Sequence, residues 1–224
     1  MKIVSWNCNG GFRRKFPILL KLSADIYVIQ ECENPFECNH KAYTAFARNS
    51  IWTGNNQNKG LGVFAAAGIS LNSHCWSSFS LRHFLPVRID NHFDMLAVWA
   101  GRPYIEEYAI YQSIHYEKYS KDMIIIGDFN SNALWDKQHP GRNHSKIVTE
   151  LRKKGLVSAY HWIRGEAQGA ETQKTFYLHK NGETGYHIDH CFIDPDKINR
   201  YQILVDNEWL TYSDHLPVMI DARI

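Results

Sequence analysis

Asp128 and Asn130 stand two residues apart in Met123–Asn132, MIIIGDFNSN, directly after an unbroken apolar run. Met123, Ile124, Ile125 and Ile126 form the kind of run shown by a strand buried on both faces, and the run is too short for a helix. The carboxylate and the amide therefore emerge at the C-terminal end of a buried strand, leaning the same way if the backbone stays extended. Gly127 lets the chain pass close to a neighbour, and Asn132 begins the turn away. A carboxylate and an amide in such a place can hold a water or a phosphate oxygen in fixed geometry. A structural turn closed by Asp and Asn would look similar in GDFN alone.

Polar groups at the ends of other apolar runs shift that balance. KIVSWNCNG reads as a strand delivering Asn7, and ADIYVIQECE as a second strand delivering Gln30 and Glu31. YHIDHCFID carries Asp189 within a strand-like run, and YSDHLPVMID sets Asp214 and His215 just before the last strand. Solubility does not account for polar groups in these places. Phosphodiester hydrolysis asks for positive charge on the phosphate oxygens, an oriented water, stabilisation of developing charge and relief for the leaving oxygen. Hard oxygen donors favour Mg²⁺ or Mn²⁺, and Mg²⁺ keeps several waters beside one or two carboxylates. Glu31 is the best ligand candidate.

The ordered set of Asn7, Glu31, GDFN ending at Asn130, IDH around Asp189 and SDH ending at His215 resembles the endonuclease/exonuclease/phosphatase superfamily, which includes exonuclease III, the abasic-site endonucleases and DNase I. The resemblance runs from Lys2 to Ile220. It implies that Asn7 and Glu31 occupy a metal site and that Asp214 completes it or holds a second ion. It also implies that Asp128 orients and deprotonates the attacking water and that Asn130 hydrogen-bonds the phosphate. His215 then donates to the transition-state oxygen, and Asp189 orients the imidazole. One departure stands out. Where the superfamily carries a His or Tyr that touches the phosphate, the strand here reads LAVWAG, so Trp99 holds the place. Indole offers one N–H donor and cannot act as a general acid.

Each residue has a plainer reading. Asn7 would serve as a turn cap, Glu31 as a surface acid after a strand, and Asp214 as a turn residue. Their coincidence in one order favours the joint reading. His190 is expected to be structural, because only one of two neighbouring strand residues can face a site. Arg13, Arg14 and Lys15 read as a solvated face, and Arg152, Lys153 and Lys154 as a complement to a helix dipole.

The elements that must position these groups follow from periodicity. Strands are expected at Lys2–Asn7, Asp25–Glu31, Lys59–Ala66, Leu85–Ile89, Asp94–Ala100, Tyr186–Ile193 and Leu216–Ala222. Helices are expected at Phe12–Leu22, with Pro17 tolerable only in a first turn, at Pro103–Tyr119, and at Asn143–Lys154, closed by Gly155. Tyr104, Tyr108, Tyr111 and His115 form an aromatic stripe of the core type. Residues 33–58 carry no clear period. Thr175–His179 and Tyr186–Ile193 flank a hairpin whose tip includes Asn181-Gly182. Many short strands with interposed helices suggest two packed sheets half-covered by helices. The resemblance implies the same: an α/β fold, a four-layer sandwich of two mainly antiparallel sheets, with the site at one end.

The chain of 224 residues suits a single domain over 1–224, and 44% hydrophobic with 21% charged residues is ordinary for a globular protein. Its net charge of +2 neither announces nor opposes a nucleic-acid partner. Cys8, Cys32, Cys38, Cys75 and Cys191 form no CxxC pair and read as reduced thiols of a cytoplasmic protein. No leader is expected before the strand at Lys2, no membrane contact, and a monomer. The leading expectation is a Mg²⁺- or Mn²⁺-dependent nuclease, with DNA favoured over RNA as partner and abasic-site or 3′-end processing as its form. A phosphatase or phosphodiesterase for a nucleotide, inositol phosphate or lipid headgroup is the runner-up. A silent phosphate-binding module is third, because binding alone would not require a water-activating carboxylate.

Overall fold

The computed structural model describes residues 1–180, 184–206 and 208–224. In chain order the strands are β1 (Lys2–Asn7), β2 (Ile26–Cys32), β3 (Ser50–Asn56), β4 (Lys59–Ala65), β5 (Leu71–Ser73), β6 (Phe84–Ile89) and β7 (Phe93–Trp99). They continue as β8 (Ile124–Asp128), β9 (Val157–Ser158), β10 (Phe176–Tyr177), β11 (Gly185–Tyr186), β12 (Asp189–Ile193), β13 (Ile198–Ile203) and β14 (Val218–Ala222). The helices are α1 (Phe12–Leu20), α2 (Lys41–Phe46), α3 (Ile105–His115), α4 (His144–Lys153), α5 (Ala159–Arg164) and α6 (Glu208–Tyr212).

Two six-stranded sheets form, ordered β13-β14-β1-β2-β4-β3 and β5-β6-β7-β8-β12-β9, with β10 and β11 pairing as a separate ribbon. Each large sheet contains one parallel pair, β1 with β2 and β7 with β8, and is otherwise antiparallel. Parallel neighbours need a crossover, and α1 and α3 provide it. The sheets pack face to face, with helices outside them. This is the four-layer α/β sandwich.

Alternation along the central strands decides what faces inward. Met95, Ala97, Ile124, Ile126 and Cys191 enter the core between the sheets, whereas Leu96, Val98, Ile125 and Phe192 join Tyr108, Tyr111, Ile147 and Leu151 under α3 and α4. The same parity turns Trp99, Asp128 and Asp189 inward at the end of their strands. Phe129, His190 and Phe192 face the helices, their rings within 6 Å of one another. His190, expected to be structural, is fully buried with Nε2 3.0 Å from the Ser131 carbonyl.

Several element boundaries differ from expectation. Pro17 lies in the second turn of α1, where its missing N–H forfeits a bond to Arg13, and the helix stops at Leu20. Burial of Phe12, Phe16, Ile18 and Leu19 offsets that loss. Helix α3 begins only at Ile105, since Tyr104 has φ +62°, and Tyr116–Lys118 tightens into a 3₁₀ turn. Residues 33–58, which carry no clear period, contain α2 and β3. Helix α4 follows expectation, capped by the Asn143 side chain accepting from Lys146 N–H. The expected hairpin is reduced to Phe176 opposite Tyr186 and Tyr177 opposite Gly185, because Asp189–Ile193 pairs with β8 and β9 instead; its tip at Asn181-Gly182 lies outside the described residues. Among the described residues, no helix is long and apolar enough to cross a membrane.

Candidate active site

At one end of the paired sheets, strand ends converge from both layers. Register sets Asp189 opposite Asp128, and Asp128 beside Trp99. Gly127 makes the close approach of β8 to β7 possible: at φ +151°, an added Cβ would fall 1.9 Å from the Val98 carbonyl oxygen. On the facing sheet Asn7 ends β1 on the inward face. Glu31 would point outward by simple alternation. It is the extra residue of a β-bulge, with φ +61°, and this turns its carboxylate into the cleft.

His215, Asp189 and Asp128 form a buried line. Asp189 Oδ2 lies 2.9 Å from His215 Nδ1, and His215 Nε2 lies 4.0 Å from Asp128 Oδ2. Asp128 also accepts from Asn7 Nδ2 at 3.0 Å, from Asn130 N–H at 2.8 Å and from Asn130 Nδ2 at 3.1 Å. The Asn7 Nδ2 group further approaches Glu31 Oε1 at 3.5 Å, while its oxygen accepts from Asn9 N–H at 3.0 Å. Lys59 Nζ stands 2.5 Å from Glu31 Oε2. Asp214 lies beside His215 but contacts Ser213 and the β10 backbone, without direct hydrogen bonds to Glu31 or Asn7. Trp99 is half-buried, and its ring stacks on His83 at 4.3 Å.

Burial sets the electrostatics. It pushes the Asp128 carboxyl up to about 7; the Asp189 carboxylate adds to the rise, and His215 and the Asn7 N–H oppose it. Burial alone would lower the His215 imidazole, yet the Asp189 and Asp128 carboxylates outweigh it and raise it to about 9. The pair can therefore hold a carboxylate and an imidazolium side by side, 4.0 Å apart.

Supporting residues escaped the sequence reading. Ser213 Oγ donates to the Asn7 carbonyl at 2.6 Å and accepts from His215 N–H at 3.1 Å, tying the His215 loop to β1. Thr175 Oγ1 accepts from the N–H groups of Ile188 and Asp189, both at 3.0 Å, and the Phe176 ring packs 4.9 Å from His215. Ser213 at least adjoins a recognisable Asp-His pair. Thr175 and Phe176 sit in an ordinary strand-like stretch, and no sequence signal marks them.

Among the described residues, two places could hold a cation. Asp128, Asp189 and His215 offer donor atoms within 4.8 Å of one another, but Asp189 and His215 already bond each other. Glu31 presents a carboxylate that accommodates a positive charge in this structure, since the Lys59 ammonium stands against it. Its hard oxygen donors fit a divalent ion of the Mg²⁺ type.

Fold and site together define a hydrolytic phosphoesterase built on an α/β sandwich. Residues 4–215 match the Endonuclease/Exonuclease/phosphatase family, and the chain belongs to it. Among solved structures, a 3′-5′ exonuclease from Neisseria meningitidis superimposes with TM-score 0.69 at 16% identity, covering 100% of both chains. An AP endonuclease from Archaeoglobus fulgidus gives TM-score 0.69 at 15% identity, again over 100% of both chains. A humanized D. rerio TDP2 gives 0.66 at 14% identity, covering 100% of this chain and 99% of the other. No curated protein matches the sequence.

Proposed function

We propose that the protein is a Mg²⁺- or Mn²⁺-dependent phosphodiesterase acting on nucleic acid, DNA in preference to RNA, at abasic sites or 3′ ends. The observation that carries this reading is the buried line Asp189–His215–Asp128 at 2.9 and 4.0 Å. A divalent cation at Glu31 would neutralise charge on the phosphate oxygens. Asp128, raised towards neutrality, takes the proton of the attacking water, because a base matched to the working pH transfers protons best. Asn130 and Asn7 fix that carboxylate by hydrogen bonds, and Asn130 reaches the phosphate from the β8 end. His215, kept charged by Asp189, donates to the oxygen on which negative charge develops. Asp214 adds negative charge beside His215 and is available to a second ion. Trp99 lines the cleft one strand from Asp128 and donates its indole N–H to substrate.

The nucleic-acid substrate is supported by proteins of similar fold: an exonuclease, an AP endonuclease and a 3′ phosphatase bound to a product DNA hairpin. A panel of abasic-site duplex, plain duplex, single-stranded DNA, RNA and small phosphomonoesters, with Mg²⁺ or EDTA, tests the reading. Cleavage of DNA that EDTA abolishes is expected, with Asp128→Asn and His215→Ala each lowering kcat by roughly 10²-fold or more. Full turnover in EDTA would sink the metal assignment. Turnover confined to phosphomonoesters would replace the substrate.

A further inference from the structure

The row of strand ends that carries Asp189 and Asp128 runs on past Trp99. On the same sheet β6 runs antiparallel to β7, with Phe84 opposite Val98, and the Trp99 N–H donates to the His83 carbonyl at 3.0 Å. His83 is therefore the next member of a row that reads Asp189, Asp128, Trp99, His83 across four neighbouring strands. Parity places Asp189, Asp128 and Trp99 on the inward face at one end, and His83, at φ +59° just before β6, sets its ring 4.3 Å from that of Trp99. Neighbouring strands lie about 4.8 Å apart, so His83 stands roughly 10 Å from Asp128, within reach of the nucleotide next to the reacting phosphate.

His83 also walls a pocket of about 260 Å³. Another wall is the end of β3, with Thr53 and Asn55, and the segment preceding β6 contributes Ser78, Phe79 and Arg82. Thr53 pairs with Leu61, which pairs with Gln30 on β2, so this wall belongs to the sheet that carries Asn7 and Glu31. The pocket therefore opens between the same two sheets as the catalytic groups.

Its chemistry is mixed in a specific way. Phe79 is 73% exposed, an aromatic face with no core to fill, while Thr53, Asn55 and Ser78 offer hydrogen bonds and Arg82 a guanidinium. His83 is packed against Trp99 at 4.3 Å, and its Nε2 is buried without a hydrogen-bond partner. A buried polar atom left unpaired calls for a partner. Burial, with Arg82 adding to it, lowers the imidazole to about 4, so at neutral pH it is uncharged and can donate or accept. An aromatic face beside several hydrogen-bonding groups and one cation suits a nucleoside with its phosphate.

We propose that this pocket is a substrate subsite for the nucleotide adjoining the scissile phosphate, and that His83 is its specificity-determining contact. The inference deepens the phosphodiesterase reading and rests on it. Trp99 serves as the stacking support that holds His83 in place, and it separates the subsite from Asp128.

The test compares kcat/KM for a single-stranded oligodeoxynucleotide and for bis(4-nitrophenyl) phosphate, which has no nucleotide to fill the pocket. His83→Phe keeps a ring against Trp99 and removes both nitrogens. Asn55→Ala alters the β3 wall at an exposed position that cannot compromise folding. For His83→Phe, kcat/KM on the oligonucleotide falls by about 10-fold, mainly through KM, which is the loss of roughly one hydrogen bond. Asn55→Ala loses activity in the same direction, and hydrolysis of the small ester is unchanged in both. Equal losses on both substrates, or oligonucleotide kinetics unchanged in both variants, would overturn the subsite while leaving the phosphodiesterase intact. Wild-type protein inert towards both esters would overturn the phosphodiesterase reading and the subsite with it.

Discussion

Asp128 and His215 are two groups that burial and proximity push into opposite roles. Desolvation raises the carboxyl to about 7, and two carboxylates raise the imidazole to about 9. If the reaction needs Asp128 unprotonated and His215 protonated, kcat/KM rises with pH through about 7 and declines beyond about 9. Asp189→Asn removes the largest charge holding the proton on His215, so the alkaline limb should move to lower pH. The same change also relieves Asp128 of a like charge, so the acid limb should move down too. A pH–rate profile of wild type and variant reads both shifts. An alkaline limb that stayed in place would mean that His215 is not the group titrating there.

At the scale of elements, the site depends on how closely β8 lies against β7. Gly127 precedes Asp128, and its space is already filled by the Val98 backbone. Gly127→Ala must therefore push the strands apart or rotate the peptide, which destabilises the fold by about 1–3 kcal/mol or more. Because Asp128 is the next residue, kcat should fall alongside stability, even in protein that remains folded at the assay temperature. Urea unfolding and kinetics on the same preparation test this, and a variant with wild-type kcat would show that Asp128 tolerates movement of its strand. The bulge at Glu31 works in the opposite sense. It breaks the ladder of β2 with β4, at the cost of a positive φ, to bring one carboxylate inward.

Across the whole molecule, the two sheets are joined near the site by polar as well as apolar contacts. Gln30 Nε2 reaches the Val98 carbonyl at 3.3 Å, and Asn7 Nδ2 donates to Asp128 Oδ2 at 3.0 Å. Behind β12, on the helix side, lies a second polar region. His144, His187 and His190 pack within 5 Å ring to ring, next to the His161–Glu171 pair. Burial lowers His144 to about 4 and His187 to about 3, and holds His190 well below its usual range. Unfolded, each would titrate near about 6.5. Below that pH the unfolded chain takes up protons that the native state resists, so stability should fall as pH drops from about 6.5 towards 4. For His144 the loss is of the order of 3 kcal/mol by pH 4. Thermal unfolding measured between pH 7 and 4 should show a steep decline, lessened in His144→Gln. A flat profile would mean that these rings are solvated.

The strand–residue parity of Asp128, Asp189 and Asn7 was legible from the sequence because it is a local property. A buried apolar run fixes a period of two, and the period assigns each following polar residue to a face. The same logic separated Asp189 from His190. What the sequence could not decide depends on neighbours distant along the chain. Glu31 lies on the wrong parity for the cleft, and only its mismatch with β4 turns it inward. Trp99 was legible as the residue at the superfamily's His or Tyr place, but not the ring of His83, which the segment before β6 lays against it. Helix α1 holds Pro17 in its second turn because the packing of Phe12 and Phe16 outweighs a missing hydrogen bond, a balance that propensity does not contain. Thr175, Phe176 and Ser213 carry no chemical signal of their own. They acquire a role because the tertiary fold folds residues 175–177 against residues 213–216, fixing Asp189 and His215 at hydrogen-bonding distance.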